Sequence, residues 1–304
     1  MKNWIYPLMV VVAASCYGIL STNIKVAMSY GFTTAQAVTS QYFIGFFLAA
    51  LLYALTKRRL PKLHGTKILF LSGAFTAVTG MVYSHSLNFL PASLAVVLLF
   101  QFTWIGMFLD CIVRRRRLKR LEAMSLILLF GGTILAAGIL DVDLSGIPWQ
   151  GWAWGLGAAF CFSAFMFING KPVEGMDTTT RLVFVSFFAA IVVGIFQTPE
   201  ILWDGTLFGE GLWVFGVLLG LFGIIAPIWL FSIAVPRVGS GLSSILSAME
   251  LPVAILASVL VLGEQLTWVQ VAGIGIVLFG IILPNLYRRV PKPIETDPAP
   301  PEVL

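Results

Sequence analysis

The chain has 304 residues, 59% of them hydrophobic and only 11% charged, with a formal net charge of +5. So few charges cannot cover the surface of a soluble domain of this length, and the solvent expected for most of the chain is lipid. The pI near 9.2 then reports basic loops beside anionic lipid, and no nucleic-acid partner is expected.

In chain order, ten apolar segments approach the roughly 20 residues a helix needs to cross a bilayer. They are Trp4–Met28, Thr34–Leu55, Ile68–Leu87, Pro91–Val113, Ala123–Leu140, Gly151–Asn169, Thr178–Thr198, Leu212–Ala234, Gly241–Val261 and Trp268–Tyr287. Short breaker-rich links such as Ser29-Tyr30-Gly31 and Asn88-Phe89-Leu90-Pro91 join them, none long enough for a soluble domain. Lys2 and Ala13-Ala14-Ser15-Cys16 imitate a signal peptide, but apolar sequence runs on past them and loss of the span would invert the rest, so it is read as retained. With the N-terminus in the cytoplasm, Lys2, Lys57, Arg58, Arg59, Lys62, Lys67, the run Arg114 to Arg120, Lys171, Arg181, Arg237, Arg288, Arg289 and Lys292 all fall inside. The opposite loops carry Asp141, Asp143, Glu200, Asp204, Glu210 and Glu264 but no Lys or Arg, which is the positive-inside pattern. Nine or eleven crossings would scramble it. Trp149, Trp152, Trp203, Trp213 and Trp268 sit near outer helix ends, as an aromatic belt would. Cys16, Cys111 and Cys161 lie within spans, so no disulfide framework is implied. The expected fold class is an all-α integral membrane protein of ten transmembrane helices in the cell (inner or plasma) membrane, with both termini cytoplasmic.

An internal echo divides the chain. Leu129-Phe130-Gly131 matches Leu278-Phe279-Gly280, and the same offset sets Ser93-Leu94-Ala95 beside Leu242-Ser243-Ser244 and Gln101 beside Glu250. Five spans per half is an odd number, so the second half is inverted relative to the first. The expected organisation is residues 1–140 as the first five-helix repeat, 141–289 as the second, and 290–304 as a disordered cytoplasmic tail rich in Pro and acid. Inverted halves with a site near the midplane recur among secondary transporters.

The stretch Val238 to Val253 (Val-Gly-Ser-Gly-Leu-Ser-Ser-Ile-Leu-Ser-Ala-Met-Glu-Leu-Pro-Val), followed by Val261 to Thr267 and Gly273-Ile274-Gly275, resembles the second half of an EamA-type member of the drug/metabolite transporter superfamily. Tyr17-Gly18, Lys25 and Gly31 are similar to its first half, so the resemblance covers the chain apart from the tail. It implies ten helices as two inverted repeats, cytoplasmic termini and export of small metabolites, often amino acids. Two departures stand out: Ser40-Gln41-Tyr42-Phe43 where members often have Arg in the second span, and the basic run Arg114–Arg120 in place of a first-half Gly-Glu turn. The second-half turn at Glu264 reads as structural, an acid near a helix start.

Glu250 is the leading site candidate, since a charge in mid-span costs at least ~2.5–3.5 kcal/mol on insertion scales. Ser243, Ser247 and Glu250 share one helical face, and Pro252 should loosen the helix and free a carbonyl there. The carboxylate is read as a contact for a substrate ammonium or a proton-coupling group, or else as a buried structural acid. Gln101 is its expected counterpart, able to bind substrate or to bridge helices, with Trp104 as an apolar wall on the same face. Thr76, Thr79, Tyr83 and Ser86 form a stripe on the third span that suits a cavity lining or backbone bonding; His85 points away from it, as a packing residue would. Tyr17, Ser21 and Lys25 share a face, with Lys25 able to snorkel outward or to hold a carboxylate. Asn23, Gln41 and Asn169 are weaker candidates of the same kind. No metal-ligand spacing and no phosphate loop appear, so no metal or cofactor is expected.

The leading expectation is a secondary transporter exporting a small zwitterion, an amino acid or similar, by alternating access, with the fourth and ninth helices meeting at the site and the two halves rocking around it. Protons are possible co-substrates, and a monomer or homodimer is expected in the bilayer. A membrane-embedded enzyme remains the alternative, although Asp110 beside its basic loop more simply pairs with Arg114. A non-transporting scaffold or sensor is the other.

Overall fold

The computed structural model describes residues 4–57, 60–86, 88–90, 92–138, 146–197, 199–263 and 265–286. Asp141, Asp143, Glu264, Lys2, Arg58, Arg59, the three terminal basic residues and the proposed tail therefore lie outside the described residues. Those described form helices and turns, with no strand among them. The first repeat comprises α1 (Ile5–Ser29), α2 (Thr34–Lys57), α3 (Thr66–Ser86), α4 (Ala92–Leu99), α5 (Phe102–Val113) and α6 (Arg120–Ala136). The second comprises α7 (Trp149–Asn169), α8 (Thr178–Phe196), α9 (Leu212–Gly220), α10 (Ala226–Val238), α11 (Ser240–Ser247), α12 (Glu250–Leu262) and α13 (Trp268–Leu286). Eight stretches of helix are long and apolar enough to cross a membrane, counting α4 with α5, α9 with α10, and α11 with α12 as single stretches. The remaining two, α6 and α13, pack on each other. α6 begins three residues before the expected start, because the Glu122 carboxylate accepts from the Lys119 backbone N–H at 3.0 Å and caps the turn.

Two of the expected continuous helices are interrupted. The fourth span breaks at Phe100-Gln101 and the ninth at Ala248-Met249, positions related by the 149-residue offset to within a residue. At the second break Pro252 has no N–H to give the Ala248 carbonyl, which instead takes the Leu251 N–H at 3.2 Å. The first has no proline: Thr103 Oγ1 bonds the Phe100 carbonyl at 3.0 Å, and the Gln101 amide replaces a missing backbone bond, as described below. The eighth span runs on through a π-helical turn, Leu221–Ile225.

The repeats are interleaved. α1 packs on α12 and α11, as α7 does on α4 and α5; α1 on α10 mirrors α7 on α3; and α2 on α9 mirrors α8 on α3. The pairs α2–α8 and α6–α13 are each their own mirror, whereas α5 packs on α11 without a matching contact between α12 and α4 of like extent. Each helix rests mainly on the other repeat. Close approach is secured by small residues, as expected where lipid offers no hydrophobic drive between helices. A Cβ on Gly18 would lie 2.6 Å from the Glu250 carbonyl oxygen, and one on Gly220 would lie 3.0 Å from Gly45 Cα. Gly151 and Gly155 serve the same purpose against Leu90 and Leu98.

The loop contacts sort the ends of the bundle. Lys57 pairs with Asp177 at 3.6 Å, His64 Nε2 meets the Glu174 carbonyl at 3.0 Å, and the Arg237 guanidinium covers the Tyr6 ring at 4.7 Å. These basic connections all gather at one end. At the other, Phe32 and Tyr30 pack on Phe215, Thr39 bonds Gln197, and Leu90 packs with Ile147 and Trp152. There the described charges are Glu200, Asp204, Glu210 and the exposed Lys25, and Trp149, Trp203 and Trp268 are strongly exposed.

Candidate functional site: the paired helix breaks

Glu250 is the first residue of α12, where a negative charge is favoured by the helix dipole. Pro252 is third in that turn and brings no N–H of its own. No hydrogen bond or ion pair to the Glu250 carboxylate is found among the described residues, and its neighbours include the Tyr17 and Tyr83 hydroxyls, both within electrostatic reach. Tyr17 Oη has no protein partner, nor have the buried hydroxyls of Ser243 and Ser247 on the preceding half-helix. Tyr42, which the sequence reading passed over, stands beside Tyr17 and donates to the Thr76 carbonyl at 2.8 Å. The Glu250 carboxylate thus stands within electrostatic reach of Tyr17 and Tyr83, with no Lys or Arg paired to it among the described residues.

Below Tyr17 an aromatic floor closes the bundle. Tyr17 lies 5.9 Å from Phe162 and from Phe231, Phe162 lies 4.6 Å from Phe102, and Phe165 stacks on Phe162 at 5.9 Å. Toward the basic end, α5 and α11 lie against each other: Ser244 fills the notch at Gly106, and a Cβ on Gly241 would lie 3.0 Å from Asp110 Cβ. Asp110 clamps this contact. One carboxylate oxygen takes Arg114 Nε and Ser240 Oγ, both at 2.9 Å, and the other takes Arg116 at 2.8 Å. Arg116 also reaches Glu122 at 2.8 Å, and these two pairings hold its guanidinium proton above the ordinary range although burial works against it. The Asp110–Arg114 pairing expected from spacing is present, and Arg116 and Ser240 complete it. Away from the basic end the half-helices part, α4 toward α7 and α12 toward α1.

Other candidates have local duties. Gln101 donates to the Val97 carbonyl at 2.7 Å and accepts from Trp104 Nε1, so its amide bridges its own broken helix; no bond to Glu250 is found among the described residues. Trp104 is 40% exposed and its ring meets Phe108, which turns it outward. Thr79 and Ser86 bond their own helix, at Phe75 and Tyr83. Gln41 is buried against Gly223 in the π-helical turn, a kind of irregularity frequent at functional sites. Asn23 is half-buried and Lys25 exposed near the acidic end of α1, about two turns beyond Tyr17. His85 packs edge-on against Trp154 at 4.9 Å, as a packing residue would. Asn169 is drawn to the basic end, where its side-chain oxygen accepts from Arg181 at 2.9 Å. A groove of about 320 Å³ between α3 and α7, lined by Val82, Trp154 and Cys161 among others, contains no carboxylate or base and lies apart from the breaks.

A family model described as the EamA-like transporter family matches residues 4–138 and 149–286, that is, both repeats. The chain belongs to the EamA-like transporter family. Its two matched segments are the two inverted repeats of the fold, and the protein is a multi-pass membrane protein of a transporter family in the drug/metabolite transporter superfamily. A solved structure described as "Crystal structure of protein" has the same fold at a TM-score of 0.74, with 14% identity over 92% of this chain and 98% of that one. A search of curated proteins gives no match. In this EamA-family chain the residues that sequence reasoning missed are Tyr42, Arg116 and Ser240. Only Arg116 left a signal, as one of a run of four arginines too long for one acid to pair.

Proposed function

We propose that the chain crosses the cytoplasmic membrane ten times with both termini inside, and exports a small zwitterion such as an amino acid by alternating access. The observation that carries this reading is Glu250, a carboxylate with no cationic partner among the described residues, at a helix break within electrostatic reach of Tyr17 and Tyr83 and closed toward the basic end. A carboxylate among aromatic hydroxyls suits a substrate ammonium, through a charge-assisted bond and the faces of the rings. Discontinuous helices supply such sites at mid-depth because backbone freed there must be satisfied by cargo or by side chains. The half-helices that part away from the basic end support an outward-open state. Because the repeats are interleaved, inward opening is assigned to separation of α5 from α11, with rupture of the Asp110 pairs. The test is flux in proteoliposomes with radiolabelled amino acids. Glu250→Gln is expected to abolish or uncouple transport with folded yield intact, and unchanged flux and pH dependence would contradict the reading.

A further inference from the structure

Arg181, one turn into α8, is 4% exposed, and Asn169, at the end of α7, is fully buried. The guanidinium spends one N–H on the Asn169 side-chain oxygen at 2.9 Å and one on the Lys171 carbonyl at 3.3 Å. Arg181 Nε and Asn169 Nδ2 have no protein acceptor. No carboxylate pairs with this arginine among the described residues. The nearest acid in sequence, Asp177, is committed elsewhere: it caps α8 through Thr180 and pairs with Lys57. Glu174 is exposed, and its backbone carbonyl meets His64. A buried guanidinium with its Nε–H open, beside an amide whose oxygen it already holds and whose Nδ2 is open, presents unmatched donors alone. Leaving such groups buried and unmatched is costly, and the more so for the charged one.

We propose that Arg181 and Asn169 form a binding site for a small oxyanion, in the first place the carboxylate of the transported molecule. The class follows from the donor set. A guanidinium fork matches the two oxygens of a carboxylate, the amide N–H groups add a neutral donor, and the two acceptors at this place, Asn169 Oδ1 and the Lys171 carbonyl, are already engaged by Arg181. The place in the fold gives the site its role. Asn169 lies on the same face of α7 as Phe162, seven residues and about 10 Å toward the basic end. The aromatic floor thus separates two sites of opposite sign, Glu250 on one side for an ammonium and Arg181 on the other for a carboxylate. A zwitterion leaving the cytoplasm meets Arg181 first. The pair is buried in this state and the loops carrying His64 and Val173 touch each other at the same end of the bundle, so loading requires this end to open. This assignment of a role in passage rests on the transport reading; the oxyanion site itself does not.

The test uses the full chain in phosphatidylcholine nanodiscs, with thermal unfolding titrated by sodium acetate against sodium chloride at constant ionic strength. The expected result is a saturable, acetate-specific rise in the unfolding midpoint that is absent in Arg181→Gln and in Asn169→Asp. Asn169→Asp supplies its own carboxylate, so without acetate it is expected to melt about 2 °C or more above the wild type, which keeps the test sound if Arg181→Gln fails to fold. No acetate-specific shift in the wild type would mean that ordered water alone satisfies the donors, and would overturn the proposal. An equal shift in Asn169→Asp would overturn it too, as would a shift that appears only when phosphatidylglycerol is added, which would assign the donors to a lipid phosphate. Amino-acid flux in the same variants separates the two readings. Flux unaffected by Arg181→Gln or Asn169→Asp overturns the role in passage and leaves the transport reading intact, whereas an acetate site with no flux in the wild type overturns the transport reading, and the role in passage with it, and leaves the oxyanion site standing.

Discussion

Gly18→Ala adds one methyl group where α1 meets the start of α12. That carbon would lie 2.6 Å from the Glu250 carbonyl oxygen and 3.0 Å from both Ala254 N and Val253 Cβ. Two of these three contacts are backbone, which cannot swing aside as a side chain can. Restoring an ordinary separation of about 3.4 Å requires α1 to retreat by roughly 0.8 Å, carrying Tyr17 away from the break. Such overpacking costs about 1–3 kcal/mol, against which the better helix propensity of alanine returns at most ~1 kcal/mol. The expected outcome is an unfolding midpoint lower by several degrees in detergent and reduced amino-acid flux. Gly131→Ala is the control, since nothing lies within 4 Å of a Cβ there and the helix former should leave the midpoint equal or higher. If Gly18→Ala melts and transports like the wild type, or Gly131→Ala loses as much, the close approach of α1 to α12 is not what holds the break.

Asp110→Asn removes the charge that joins α5 to α11. Loss of one partner of a buried pair costs ~3–5 kcal/mol, but Arg114 is 57% and Arg116 27% exposed, so about 2 kcal/mol is expected, read as a lower midpoint and greater labelling of Ser244→Cys from the basic side. Gln101→Ala leaves the Val97 carbonyl without its bond, for a loss of about 1–3 kcal/mol; because the amide serves its own helix, substrate affinity measured by binding should stay within about twofold while the midpoint falls. Asp177→Ala removes the cap of α8, a loss of about 0.5–2 kcal/mol at pH 7. Burial opposes the Asp177 charge, but hydrogen bonds from Thr180 and the nearby Lys57 outweigh it and hold the carboxyl below its ordinary 3.8. A group with a depressed folded value stabilises above its unfolded value and loses that stabilisation as pH falls through the folded one. The difference between wild type and Asp177→Ala should therefore hold from pH 7 to about 5 and shrink below about pH 4.

Much of the fold was legible because lipid imposes strong rules on sequence. The alternation of Lys57, Arg114–Arg120, Lys171 and Arg237 with Glu200, Asp204 and Glu210 anticipated which loops meet at which end. Glu250 stood out because a mid-span charge is rare. The break at Phe100-Gln101 was not legible, because a glutamine bonding its own helix has the same appearance in sequence as one facing a cavity. Interleaving of the repeats was hidden because a repeat offset says nothing of which half a helix rests on. Arg181 was counted with the loop charges; its burial depends on α7 and on the loops above it, which no local pattern records.

The central claim is that the break at Glu250 opens to the acidic face and is closed at the basic one. With Cys16, Cys111 and Cys161 replaced, Glu250→Cys and Ser244→Cys can be exposed to a membrane-impermeant thiol reagent from each side of oriented vesicles. The account predicts that Glu250→Cys is modified from the acidic side alone and that Ser244→Cys is protected from both. Modification of Ser244→Cys from the basic side with Glu250→Cys protected from the acidic side would contradict it.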